Sequence, residues 1–410
     1  MEAIEVDIQA IDALLTFDLA GSVAHARAAV TFSMPAAGSP ALDLRQPIDS
    51  LALDGAALDP DDFPHVDLGG GEGAEMRVLD GTVDPGAVHE LQLAYQLGLP
   101  EAENAKAPEL AGDHVDFDFW LSDLHPGRYL EQWVPAGLCG DRFRLTLHVE
   151  VAGSTTPHEL VSNGAVMATR PGRWTVEFPA TWTSLSPMVV IAPRDDLEIR
   201  TTDLDEPEVM LVTIRSRSAD VGLADVEASV RQWLADHRRA YGPYCHGSRF
   251  TTFIWSSSRG MEYDGATTSS ADALEHEVFH SWFGRGIKPA RASDGWIDEA
   301  WTSWCTSSRR YQGSRFAVEA LGLDEEPQVL YPPHPWSRYT PAAAYDEGTR
   351  LFAGLAHLLG GAGQLRAAMA GWYQQHAGGF VTTAGLAGHL SLAAGKDLTP
   401  WFDRYVHGRA

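Results

Sequence analysis

Cysteine is scarce in this 410-residue chain: Cys139, Cys245 and Cys305 are too few and too scattered to frame a disulfide network or a thiolate metal site. That scarcity suits a reducing compartment. Basic residues are short as well, 30 Lys and Arg against 56 Asp and Glu, for a net charge of −26. A surface of that sign repels phosphates, so no nucleic acid and no anionic membrane is expected as a partner. No apolar run reaches the roughly 18 residues a membrane span needs. The start, Met1-Glu2-Ala3-Ile4-Glu5-Val6-Asp7, lacks the basic and apolar segments of a signal peptide. Together these absences predict a cytoplasmic protein. Internal repeats and low-complexity linkers are missing too, and the 44% hydrophobic content is ordinary for a globular chain long enough for two cores.

What is present divides near residue 195. Residues 1–195 read as β-structure. The clearest strand runs from Phe143 to Val151, apolar at every second position, so that one face is buried and the other wet. Weaker strands lie around Ala28–Phe32, Leu42–Leu53, Leu91–Tyr95 and Trp174–Phe178, separated by turn pairs such as Asp54-Gly55 and Pro171-Gly172. The cluster Gly69-Gly70-Gly71-Glu72-Gly73 has no Lys and no following helix, so it reads as a connection rather than a phosphate loop. Residues 196–410 read as mainly helical. Val226, Val230, Trp233, Leu234 and Tyr241 recur at helical spacing up to Gly242-Pro243. Phe250–Trp255 is a short β-rich run, and Tyr331-Pro332-Pro333-His334-Pro335 interrupts the helices that follow. Thr399 reads as the cap of a last helix, with Pro400 in its first turn and Gly408 beyond its end.

The chemistry concentrates in His276-Glu277-Val278-Phe279-His280, inside a stretch from Ala271 to Phe283 that holds no Gly or Pro. Residues four apart share a helix face, so both imidazoles can point at one ion. Glu277 then flanks the same spot, where it can take a proton from an activated water. A catalytic zinc takes three protein ligands and keeps a position open. Glu299, with 18 residues between it and His280, supplies the third, with Asp298 and Glu275 as rival carboxylates. Gly284, Gly286 and Pro289 break the chain between the two segments. A His/His/Glu set also suits cobalt or manganese in vitro.

With these motifs the chain resembles the aminopeptidase N family of gluzincins, which includes the leukotriene hydrolases. That family shows H-E-x-x-H, then 18 residues, then Glu in a W-x-N-E-G-F-A-S-Y-like segment; this chain reads S-D-G-W-I-D-E-A-W-T-S-W from Ser293 to Trp304. Gly260-Met261-Glu262-Tyr263 resembles the family's G-x-M-E-N, Tyr241-Gly242-Pro243-Tyr244 its F-G-x-Y-P, and Tyr345-Asp346-Glu347-Gly348 its Y-E-K-G. The resemblance implies an α+β protein, with an N-terminal antiparallel, saddle-like β-sandwich and a thermolysin-like, mainly helical catalytic domain carrying a small sheet. It implies zinc on His276, His280 and Glu299, Glu277 as general base, and Tyr345 as donor to the oxyanion. Glu262 would hold the free α-amino group of a peptide or small amine-bearing substrate. The backbone of Arg259, Gly260 and Met261 would lie along that substrate as a strand edge.

Three departures qualify the match. Tyr263 stands for the Asn of G-x-M-E-N, and Glu347 for the Lys of Y-E-K-G. A second amine-binding group in the first half is hard to align, with Asp123 and Glu131 as the candidates. Asp397 to Phe402 resembles the end of the family's catalytic domain, so the site is expected to be more open, or to be covered by a partner or a second copy. The leading expectation is a zinc aminopeptidase. The alternatives are a hydrolase of the same fold acting on a non-peptide amide, ester or epoxide, and a non-catalytic binding module.

Overall fold

A computed structural model of the chain describes residues 2–71, 74–98, 108–125, 127–256, 260–306, 330 and 334–409. The sequence features at Glu72, Gly73, Arg259, Tyr331, Pro332 and Pro333 lie outside the described residues. The chain divides into two compact units, Met1–Glu198 and Ile199–Ala410.

The N-terminal unit is built from β-sheets. Its largest sheet has eight strands, in the order Ala165–Arg170, Arg173–Phe178, Arg144–Ala152, Asp7–Asp18, Val23–Ser33, Val88–Gln96, Ile48–Leu53, Ala56–Leu58. Neighbours run antiparallel except Asp7–Asp18 against Arg144–Ala152, which are parallel. The alternation read in the sequence sets the faces: Leu145, Leu147, Val149 and Val151 point inward, joined from the next strand by Ile11, Ala13, Leu15 and Phe17. A four-stranded antiparallel sheet supplies the opposing layer through strands such as His114–Asp118 and Val189–Pro193. Phe117 of that layer meets Phe17 at 5.0 Å between ring centroids and Trp133 at 4.9 Å. These contacts fill the space between the sheets.

The C-terminal unit combines seven helices, among the described residues, with a five-stranded sheet. The helices are α1 (Leu223–Tyr241), α2 (Leu274–Phe279), α3 (Trp296–Thr306), α4 (Ala343–Leu358), α5 (Ala362–His376), α6 (Thr383–Ala394) and α7 (Thr399–Tyr405). In the sheet, Glu208–Ser216, Arg249–Ile254 and Ala266–Ser269 pair in parallel, and Gly260–Tyr263 lies antiparallel at one edge. The α+β class and layer plan expected from the sequence are therefore present. Helix α7 starts differently from the sequence reading. Leu398 is the cap, and Asp397 Oδ1 accepts the Thr399 N–H at 2.9 Å, because a carboxylate two residues back satisfies that donor. No helix among the described residues is long and apolar enough to cross a membrane.

Two features of this unit place the site. Helix α2 has only six residues, much shorter than the stretch from Ala271 to Phe283 suggests. Its inner face compensates: Val278, Phe279, Trp282 and Phe283 are buried with Tyr241, Trp296, Trp301 and Phe352 in one core. Phe279 stacks on Phe283 at 5.7 Å, and Phe283 meets Trp301 at 5.9 Å. Burial thus fixes a helix too short to be stable alone. Helices α3 and α4 pack at Gly348, where an added methyl would collide with Ala300. That close approach brings the start of α4 beside the turn of α3 that carries Glu299.

Candidate metal centre

His276 and His280 project from the same face of α2, one helical turn apart, with ring centroids 4.6 Å from each other. Glu299, on the first turn of α3, faces both. Its Oε2 lies 3.2 Å from His276 Nε2 and 3.6 Å from His280 Nε2. One donor atom from each of the three residues falls within 4.8 Å of the others. Of the rival carboxylates, Glu275 is exposed, whereas Asp298 meets His280 from behind.

The surrounding hydrogen bonds fix which nitrogen of each ring faces the centre. His280 Nδ1 lies 2.5 Å from Asp298 Oδ1 and 3.1 Å from the Phe283 carbonyl oxygen, so this nitrogen carries the donated proton. Its Nε2 is fully buried and has no hydrogen-bond partner. A buried imidazole nitrogen left without a partner is costly unless something else ligates it. His276 follows the same logic through a longer chain. Thr306 donates its hydroxyl proton to the Thr302 carbonyl at 2.8 Å, so its oxygen accepts from His276 Nδ1 at 3.3 Å. His276 Nε2 is thereby also turned inward, where it meets Glu299 Oε2 at 3.2 Å and would present its lone pair to a cation in place of that contact. This donor set, two imidazole nitrogens and a carboxylate, fits a zinc ion.

Charge points the same way. Burial by itself would lower the His280 pKa, yet the carboxylates of Asp298, Glu262 and Glu299 hold it well above the ordinary histidine range. Burial would raise Glu299, yet His280, His276 and a hydrogen bond from Tyr345 hold it down to about 2. Without a metal, a proton held on His280 therefore offsets the surrounding carboxylates. A divalent cation meets the same demand while leaving both imidazoles neutral.

Three further residues singled out by the sequence reading border this cluster. Glu277 is buried on α2, and a methyl at Gly260 would run into its carboxylate, so the edge strand passes directly against the proposed base. Glu262, two residues along that strand, is 3% exposed. One of its carboxylate oxygens, one from Glu277 and a nitrogen of His280 lie within 4.8 Å of one another. Tyr345 sits in the first turn of α4, its ring stacked on His276 at 6.0 Å and 18° and its hydroxyl bonded to Glu299. Met261 is buried on the same strand, opposite Thr268. Asp123 and Glu131 are buried in the N-terminal unit.

The sequence reading did not assign Thr302 and Thr306, although both follow Asp298 at helical spacing. It also missed the two cations after α2. Arg285 Nη2 donates to Glu262 Oε1 at 2.6 Å, and Lys288 Nζ donates to Asp264 Oδ2 at 2.6 Å, all four side chains being buried. Glu262 on the edge strand and Asp264 just beyond its end were the available signal, since buried acids require partners.

No protein-family model matches the chain, and no curated protein sequence matches it. Solved structures do. An M1 zinc metallopeptidase from Deinococcus radiodurans superposes with a TM-score of 0.66 at 19% identity, over 98% of this chain and 94% of that one. The Legionella pneumophila aminopeptidase A gives 0.70 at 14% identity, over 99% of this chain and 50% of that one. Yeast LTA4 hydrolase gives 0.67 at 12% identity, over 99% and 68%. The chain thus has the M1 metallopeptidase fold. More narrowly, it spans nearly the full length of the Deinococcus protein, and a structure described as a two-domain M1 zinc metallopeptidase superposes with a TM-score of 0.65 at 19% identity, over 99% of this chain and 95% of that one.

Proposed function

We propose that the protein is a zinc-dependent aminopeptidase that removes N-terminal residues from peptides. His276, His280 and Glu299 would hold the zinc. The observation that carries the reading is the buried, unpartnered Nε2 of His280, directed at Glu299 beside a second imidazole whose tautomer also turns Nε2 inward. Zinc, when bound, would supply Lewis-acid polarisation of the scissile carbonyl and of the attacking water. The remaining work falls to side chains. Glu277 takes the proton of the attacking water and passes it to the leaving nitrogen. Asp298 and Thr306 hold the two imidazoles in the tautomers that face inward. Tyr345 exchanges its bond to Glu299 for one to the substrate oxygen as negative charge grows there.

Glu262 and the edge strand would set the reaction's exopeptidase character. A substrate backbone can add to the strand Gly260–Tyr263, which has a sheet neighbour on one side only among the described residues. Its α-ammonium would then lie against the Glu262 carboxylate. The Deinococcus relative was crystallised with a Tyr-Ser-Ala substrate and the Legionella aminopeptidase with aspartic acid, which supports peptide-like substrates for this chain as well. Comparing turnover of free-amine aminoacyl amides with their N-acetylated counterparts tests the proposal. Hydrolysis confined to the free amines is expected. Equal hydrolysis of both would move the protein to the broader amidase and esterase reading.

A further inference from the structure

We infer that Arg285 is a positioning residue for substrate amines, holding the Glu262 carboxylate and its strand in register with the metal cluster. This rests on the reading of Glu262 as amine anchor. The strand Gly260–Tyr263 is bonded to Ala266–Ser269 on one side, and its other side must stay open to receive a substrate backbone. Among the described residues, sheet hydrogen bonds therefore fix the strand from one flank alone.

The turn after α2 supplies the missing restraint. Arg285 reaches Glu262 twice: Nη2 donates to the carboxylate Oε1 at 2.6 Å and Nε donates to the main-chain oxygen at 3.4 Å. Its third contact, Nη1 to the Gly284 oxygen at 3.2 Å, ties the guanidinium back to its own turn. A planar fork that grips both side chain and backbone of one residue sets position and rotation together, which a point charge does not. Three residues on, Lys288 Nζ donates to Asp264 Oδ2 at 2.6 Å and pins the chain just beyond the end of the strand.

Charge makes the restraint necessary. Glu262 lies among Glu277, Asp298 and Glu299, and a carboxylate so placed is driven away from its neighbours. The Arg285 pair cancels that push at Oε1 and keeps the carboxyl group beside the metal donors, where a substrate ammonium would dock. Arg285 itself is 3% exposed and so is set behind Glu262 rather than offered to solvent.

The test is calorimetric binding of a free amino acid and its N-acetyl form to the zinc-loaded protein, over a panel of side chains. The readout is the affinity ratio of the two. Arg285→Met is expected to shrink that ratio about tenfold or more, the scale of one charge-assisted hydrogen bond. Arg285→Lys, which keeps a cation but loses the fork, should fall between it and the wild type. Lys288→Met should lower the melting temperature yet keep the ratio. An unchanged ratio in Arg285→Met, or an equal loss in Lys288→Met, overturns the inference. If Arg285→Met does not fold, Arg285→Lys decides: a reduced ratio supports the inference and a wild-type ratio overturns it. Glu262→Ala separates the two levels. If it leaves the ratio unchanged, the anchor reading itself has failed; if it abolishes the ratio while both Arg285 variants keep it, only the positioning role has failed.

Discussion

Buried charge in the N-terminal unit is matched locally: Asp43 lies 2.7 Å from Arg45 and 3.0 Å from His65, and Arg77 donates to three main-chain oxygens. In the C-terminal unit, Glu262, Glu277, Asp298 and Glu299 instead gather around two histidines. Arg285 answers Glu262 and Tyr345 bonds Glu299, but at the centre of that cluster His280 Nε2 has no hydrogen-bond partner among the described residues. Pairing residue by residue stabilises a fold, because each desolvated group finds a partner. Gathering carboxylates around an unpartnered nitrogen is a poor way to stabilise a fold and a good way to hold a cation. The contrast separates structural from functional charge within one chain.

Glu277→Gln presses hardest on that contrast. It should keep the zinc, since Glu277 is not among the three proposed ligands, and lose turnover by about 10²–10⁴-fold or more, because an amide cannot accept the proton of water. Steady-state kinetics with parallel metal analysis reads both. Activity within tenfold of wild type would mean that another group is the base. Tyr345→Phe comes next. Its effect should fall on kcat rather than KM, by about 2–4 kcal/mol, if the hydroxyl meets charge that develops only in the transition state. A change confined to KM would make Tyr345 a substrate-positioning residue instead.

How much of this was legible in the sequence differs between the units for physical reasons. His276, Glu277, His280 and Glu299 could be read because helical periodicity and chain breaks fix their neighbourhood from local spacing alone. The strand at Arg144–Ala152 was legible because burial of one sheet face imposes alternation. The eight-strand order was not, since the parallel pairing of Asp7–Asp18 with Arg144–Ala152 joins segments more than a hundred residues apart, and nothing local encodes it. Arg285 and Lys288 were missed for a related reason. A cation is usually a solvated surface group, and only the tertiary fold shows these two buried against Glu262 and Asp264. Asp298 stands as a rival ligand in the sequence because spacing cannot tell which of two adjacent carboxylates faces both imidazoles and which meets the back of His280.

The smallest expected effect belongs to the N-terminal unit and sharpens the comparison from the structural side. Burial pushes the Asp141 carboxyl up to about 7, with Glu5 and Asp7 adding to the shift and the Ile8 N–H opposing it. The folded state therefore holds a proton that the unfolded chain releases near pH 4. Any stability this proton confers is complete below the unfolded value and is lost as pH rises through about 7. Asp141→Asn should leave stability near pH 4 unchanged and raise it at pH 8, by roughly 1–2 kcal/mol for a half-buried site that water can still reach. Denaturant titrations at the two pH values measure this. Zinc content and turnover should not move in this variant; if they do, charge in the N-terminal unit is not purely structural.

The most direct test of the central claim is elemental analysis of the purified protein and of His280→Ala after exhaustive dialysis. The arrangement of His276, His280 and Glu299 predicts about one zinc per chain in the wild type and almost none in the variant. Undiminished zinc in His280→Ala would contradict it.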